Sequence, residues 1–240
     1  RYELQARNEA RLDKIVCYKK SLAEELPGLL KALGTKTLGF ESVRLSVHQY
    51  RKISDAISEA NLEVTLNPVE DLVEQLRIKK SETEIATLRS ALSLAETAFS
   101  ECVKKIKPGM TEKELAWIME KEMREAGAEG LSFPTIVASG PNSALPHAIP
   151  GDRPIRAGEP LLFDWGARLD GYCSDISRTV VIGEPDDMFK KVFRTVLDAQ
   201  HRAIEAIKAG VSSRAVDSIA RDHIEKQGFG GMFGHGLGHG

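Results

Sequence analysis

Apolar residues recur in this chain at two spacings, and the alternation of the two outlines its elements. Ser21, followed by Glu24, an apolar stripe and Gly34, predicts a capped helix over 21–33. A short strand is expected over 37–40. Val43, Val47, Tyr50, Ile53 and Ile57 share one helical stripe, which predicts a helix over 43–60. Alternation predicts a strand over 62–66, and Pro68 is read as opening a helix to 76. These elements make an α/β layer whose first strands are expected to lie upstream. The polar run Arg77-Ile78-Lys79-Lys80 is the expected domain boundary, dividing the chain into 1–77 and 78–240.

Beyond the boundary the pattern is helix, helix, strands, helix, helix. Ser81 with Glu84, and Thr111 with Glu114, are capping-box pairs. They predict helices over 82–106, ended by Pro108-Gly109, and over 112–126, stopped by Gly127. Trp117 lies on the second helix's apolar stripe and is expected in the core. A strand over 135–138 and a Pro-, Asn- and Ser-rich loop over 140–150 follow. Helices are then expected over 187–207 and 213–226, with Gly210 and Gly228 as stops. Shifting the chain by 101 positions lays Gly109 on Gly210 and Gly127 on Gly228, and matches the helical apolar stripes. The pattern implies two related helix–helix–strand units beside a shared sheet.

Between the helix pairs lies 161–182, two apolar runs around Asp170-Gly171, the signature of a β-hairpin. A two-residue turn there sets Leu169 opposite Tyr172 and Asp164 opposite Ser177. Asp175 then shares a face with Asp164, one diagonal step away, about 7–8 Å at the backbone. Two neighbouring carboxylates repel unless one keeps its proton or a cation holds both. Asp164 as a turn residue and Asp175 paired with Arg178 are the plainer alternatives.

Composition narrows the setting. A net charge of −2 gives no reason to expect nucleic acid or membrane as a partner, and no apolar run approaches the ~20 residues of a membrane span. Cys17, Cys102 and Cys173, an odd and widely spaced set, fit a reducing compartment; Cys173 is read as a small packed residue. The opening without methionine reads as the interior of a longer protein. His48, His201 and His223 are read as surface residues. His147 sits in the 140–150 loop, and His235 and His239 in the terminal Gly-His-Gly-Leu-Gly-His-Gly. Two carboxylates and an imidazole suit Mn, Zn, Co or Fe better than a thiolate-bound metal.

Asp164-Trp-Gly, Gly171-Tyr-Cys-Ser-Asp175-Ile-Ser-Arg-Thr179 and Phe233-Gly-His-Gly-Leu-Gly-His239-Gly together resemble the pita-bread metallopeptidases, Xaa-Pro aminopeptidases and Xaa-Pro dipeptidases (prolidases) above all. The resemblance covers nearly the whole chain. It implies an α/β (α+β) chain: an incomplete pita-bread catalytic domain, preceded by part of a creatinase-like N-terminal domain. It implies two divalent metals, Mn first, with Zn or Co as alternatives. Asp164 would bind one metal, Asp175 would bridge both, and His239 would bind the other. His147 would hold the substrate and stabilise the tetrahedral intermediate, and His235 would line the pocket. A metal-activated water would attack the carbonyl preceding proline. A cytoplasmic homodimer acting on peptides with proline second is the implied setting. Two further glutamate ligands and a histidine of the family lie beyond the glycine-rich motif. The 240 residues alone are therefore expected to bind metal weakly and not to cleave peptides, and a longer protein to be active. A metal-free creatinase-type amidinohydrolase and a non-catalytic pita-bread binding module are the competing readings; a methionine aminopeptidase fits less well.

Overall fold

The computed structural model describes residues 2–10, 12 and 15–238. The chain divides into two compact units, Arg1–Lys80 and Ser81–Gly240.

In the first unit the described elements are α1 (Glu3–Glu9), α2 (Leu22–Ala32), β1 (Thr37–Glu41), α3 (Val47–Glu59), β2 (Thr65–Val69) and α4 (Leu72–Ile78). The Ser21 hydroxyl accepts from the Glu24 amide, and Gly34 takes the left-handed conformation that ends α2. β1 and β2 pair in parallel, from Thr37 opposite Thr65 to Glu41 opposite Val69. Two expectations fail here. Val43 lies outside α3 and is exposed, because a capping box between Ser46 and Gln49 starts the helix later than the apolar spacing alone suggests. Pro68 opens no helix. It sits within β2 opposite Phe40, where a strand with an unpaired edge tolerates a missing N–H, and α4 begins only after Asp71.

The second unit begins with α5 (Glu82–Val103) and α6 (Glu112–Glu125), each opened by the expected capping box. Then come β3 (Gly130–Leu131), β4 (Ile136–Ser139), a 3₁₀ turn (Gly140–Ala144), β5 (Pro160–Trp165), β6 (Ala167–Leu169), β7 (Tyr172–Cys173) and β8 (Ile176–Val181). α7 (Asp187–Ala206), α8 (Ser213–Ile224) and a wider turn (Glu225–Phe229) follow. The strands form two antiparallel sheets, ordered β4-β5-β8 and β3-β6-β7.

Alternation along β5 decides what each face of its sheet does. Leu161, Phe163 and Trp165 are fully buried against α5 and α6. α5 offers Ala91, Ala95, Ala98 and Cys102 there, side chains small enough for close packing of helix on sheet. Phe99 stacks on Trp165 with ring centroids 4.5 Å apart, and the indole N–H donates to the Ala95 carbonyl at 2.9 Å. The buried face of α6 is Leu115, Met119 and Met123. Trp117, expected in the core, is 64% exposed: two residues past Leu115 is about 200° around a helix.

The internal repeat is visible in the backbone. Gly109 and Gly210, with φ of 91° and 87°, follow the first helix of each pair; Gly127 and Gly228, with φ of 103° and 89°, follow the second. All four take the left-handed conformation that favours glycine; Gly127 directly follows the C-cap of α6, whereas Gly109 and Gly210 lie in the loops beyond the ends of α5 and α7. α7 and α8 pack through Ala199, Ala203, Val216, Ala220 and Ile224. No helix among the described residues is long and apolar enough to cross a membrane.

Candidate metal centre

The Asp170-Gly171 turn sets the register of the site. Both residues have positive φ, 48° and 78°, as a two-residue hairpin turn of the right twist requires. Leu169 faces Tyr172 and Asp164 faces Ser177, as the turn dictates. The hairpin is not continuous, however. Gly166 and the pair Ser174-Asp175 interrupt its arms, so that the tip (β6, β7) and the base (β5, β8) belong to different sheets. Gly166 is buried so close to the other arm that a Cβ there would overlap the Ser174 carbonyl oxygen. Ser174 secures the crossing, its hydroxyl accepting from the Ala167 amide at 3.0 Å. Asp175 therefore lies in a connection rather than on a strand, and the expected diagonal pairing with Asp164 within one ladder is corrected.

The two carboxylates nonetheless border one cavity. Asp164, half-buried on the face of β5 away from Trp165, and Asp175 line one cavity of about 460 Å³, and His147 lines it from the 140–150 loop. Asp164 stands between Ile136 of β4 and Ser177 of β8 in the register, and the Ser177 hydroxyl donates to its Oδ1 at 2.7 Å. Phe133, Pro134 and Ile149 give the cavity an apolar side. Thr135, on the same wall, has a buried hydroxyl with no hydrogen-bond partner among the described residues.

These residues fit a hard divalent cation. The wall carries two carboxylates, an imidazole, an orphan hydroxyl and no thiol, the oxygen and nitrogen set that Mn, Zn or Co accepts. Among the described residues no group of three or more His, Cys, Asp or Glu side chains converges as a metal cage. His239, the expected third ligand, lies outside the described residues.

His235 is not among the residues lining this cavity. Its ring lies 5.2 Å from that of Phe233, with Nδ1 2.7 Å from the Gly236 carbonyl. Arg221 of α8 holds the segment there, donating to the Phe233 and His235 carbonyls at 2.7 and 2.9 Å, while Asp217 accepts from the Leu237 amide at 2.8 Å. Cys173, expected to be packed, is exposed on the short β7. His223, read as a surface residue, has a buried Nε2 with no partner among the described residues, because α8 turns that edge of the ring inward.

One residue of the surroundings had no sequence signal. Glu112 is completely buried at the start of α6 and accepts hydrogen bonds from Ser139, Asn142 and Gly151. Burial would raise its pKa, but the donors prevail and hold the carboxyl below its ordinary value.

Residues 86–240 match metallopeptidase family M24, and residues 1–79 match the creatinase/prolidase N-terminal domain. The chain belongs to family M24. It is 39% identical over 240 residues to the uncharacterized peptidase YqhT of Bacillus subtilis, covering all of this chain and 67% of that protein. It is 37% identical over 239 residues to the Xaa-Pro dipeptidase of Pyrococcus furiosus, covering all of this chain and 66% of the relative. Among solved structures, the Xaa-Pro dipeptidase from Bacillus anthracis superposes with a TM-score of 0.91 at 39% identity, over all of this chain and 66% of that one. The X-Pro aminopeptidase from Thermotoga maritima gives 0.84 at 40% identity, over 95% and 64%. The M24 chain thus has the pita-bread fold preceded by a creatinase-like domain, and spans about two thirds of the length of these relatives.

Proposed function

We propose that the protein containing this chain is a metal-dependent peptidase that cleaves between an N-terminal residue and a following proline, as an Xaa-Pro aminopeptidase or dipeptidase. The observation that carries this is the convergence of Asp164, Asp175 and His147 on one cavity of an M24 chain. Relatives named for cleaving Xaa-Pro bonds support the substrate class.

In this reading Asp164, Asp175 and His239 would hold the metal, two carboxylates and an imidazole. The cofactor is a pair of divalent ions, manganese first, zinc or cobalt as alternatives. Bound there, the ions would supply an activated water at neutral pH and charge to stabilise a developing oxyanion. Ser177 fixes the rotamer of Asp164 by occupying one lone pair of Oδ1. His147 presents its imidazole to the scissile carbonyl and donates to the oxygen as negative charge grows on it. Phe133, Pro134 and Ile149 offer the proline ring an apolar surface and exclude water from that side. The setting we propose is a cytoplasmic homodimer, with 1–77 and 78–240 as its domains; three free cysteines suit a reducing compartment.

The test is hydrolysis of Xaa-Pro dipeptides and longer Xaa-Pro peptides by the full-length protein, stripped with chelator and then given Mn²⁺. Release of the first residue should vanish on stripping and return with metal. Asp164→Asn and Asp175→Asn should lose bound metal and turnover together. Undiminished cleavage by stripped protein, or by Asp175→Asn, would sink the reading.

A further inference from the structure

Glu112 is the first residue of α6, yet it takes no part in the capping box, which Thr111 and Glu114 complete without it. Its side chain points instead at the loop that carries His147. Oε1 accepts from the Ser139 amide at 2.7 Å, the Ser139 hydroxyl at 2.9 Å and the Asn142 amide group at 3.0 Å. Oε2 accepts from the Asn142 side chain at 3.2 Å and the Gly151 amide at 3.0 Å. Ser139 is the last residue of β4, Asn142 lies in the 3₁₀ turn, and Gly151 follows Pro150. One carboxylate thus grips the 140–150 loop at its entry, near its start and at its exit.

The neighbouring backbone reinforces the grip. The Lys113 amide donates to the Gly151 carbonyl at 3.1 Å and the Glu112 amide to the Arg153 carbonyl at 3.2 Å. Arg153 in turn donates to the Ser139 hydroxyl at 2.7 Å and pairs with Glu159. A wholly buried carboxylate is costly, and among the described residues neutral donors rather than a cation meet its charge. An apolar side chain would fill the same space more cheaply if packing were the only need.

We propose that Glu112 is a positioning residue for His147: it fixes both ends of the 140–150 loop and so holds the imidazole on the wall shared with Asp164 and Asp175. Its kinetic consequence rests on the peptidase reading; its geometric consequence does not. Glu112→Gln keeps the volume but turns an N–H₂ group toward the donors of Asn142 or Gly151, so one end of the loop loses its anchor. A displaced imidazole lowers kcat, while the metal ligands stay in place.

The experiment is a double-mutant cycle in the full-length, Mn²⁺-loaded protein, read by kcat and KM on an Xaa-Pro peptide, by metal content, and by hydrogen exchange over 140–150. Glu112→Gln should lower kcat by up to about a hundredfold, the scale of an ~1 Å misplacement, with KM and metal content little changed and exchange faster in the loop alone. Glu112→Gln with His147→Ala should be no slower than His147→Ala by itself, because one acts through the other. Wild-type kcat in Glu112→Gln, unchanged loop exchange, or losses that multiply in the double variant would overturn the proposal. If Glu112→Gln does not fold, Asn142→Ala removes one donor; it should give a smaller loss of kcat that disappears in the His147→Ala background, and wild-type kcat there counts against the proposal. If the wild-type protein cleaves no Xaa-Pro peptide, the peptidase reading fails by itself, and loop exchange with the NMR line shape of His147 decides the positioning.

Discussion

At the scale of single residues, the site's charges are set by who donates to them. Glu112 gains donors on folding that depress its pKa below the ordinary 4.5. The sign follows from linkage: a carboxyl with a lowered folded-state pKa adds stability that is fully present above pH 4.5 and is lost as pH falls through the folded value. Glu112→Gln has no such proton to take up. In acid titrations of the unfolding free energy, the gap between wild type and Glu112→Gln should therefore be widest above pH 4.5 and narrow below it. A constant gap across that range would show that Glu112 is held without its charge. The turn dipeptide set Asp164 opposite Ser177 and singled out Asp175 as its neighbour, though not through the ladder the register implied; His147 was singled out by its loop and by the family resemblance. Glu112 was not legible. Beside the capping box of Thr111 and Glu114 it reads as one more acid in a helix's first turn, and its partners lie 27 to 39 residues away.

Among the elements, capping and turn signals succeeded, and apolar spacing read without them failed. The capping boxes of α5 and α6, the cap of α2 and the left-handed Gly34 and Gly127 after α2 and α6 all act within a few residues. Val43 misled because apolar spacing ran past a polar start signal, and Trp117 because a stripe on a helix does not say which side meets the sheet. The break in the hairpin is the most consequential feature that the pattern hid. Gly166 reads as an ordinary strand glycine, but it lets the two arms cross so closely that no Cβ fits, and that crossing carries Asp175 to the cavity. Gly166→Ala should therefore cost about 1–3 kcal/mol or more, the range for overpacking a filled interior. It should also weaken Mn²⁺ binding, measured by calorimetry, since the connection must shift to make room. Gly171→Ala is the control. It sits at positive φ with open space around it, so it should lower the melting temperature through backbone strain and leave metal affinity close to wild type. Equal losses of affinity in both variants would argue that the crossing has no particular hold on Asp175.

For the whole molecule, a metal held as proposed would stabilise one of the two units selectively. Asp164, Asp175 and His147 all belong to the unit Ser81–Gly240. The two units also differ in core. The described residues of the first bury only Leu30 and Ile57 among large apolar side chains, whereas the second buries Phe163, Trp165, Leu115, Met119 and Met123 completely. At roughly 1.5–3 kcal/mol for each large apolar side chain buried, the first unit should melt at the lower temperature. A ligand bound only by the native second unit stabilises it by about 2.7 kcal/mol at a hundredfold excess over its dissociation constant. For a unit of this size each kcal/mol is worth about 2–4 °C, so saturating Mn²⁺ should raise the upper transition by about 5–11 °C. Scanning calorimetry of the chelator-stripped full-length protein should then show two transitions, with the lower one unmoved when metal is restored. Asp175→Asn should keep both transitions and abolish the shift, which separates loss of the ligand from loss of the fold. If metal moved both transitions equally, the cation would be held by something other than this cavity. If it moved neither, the presence of Asp164 and Asp175 on one cavity would need an explanation other than a shared cation.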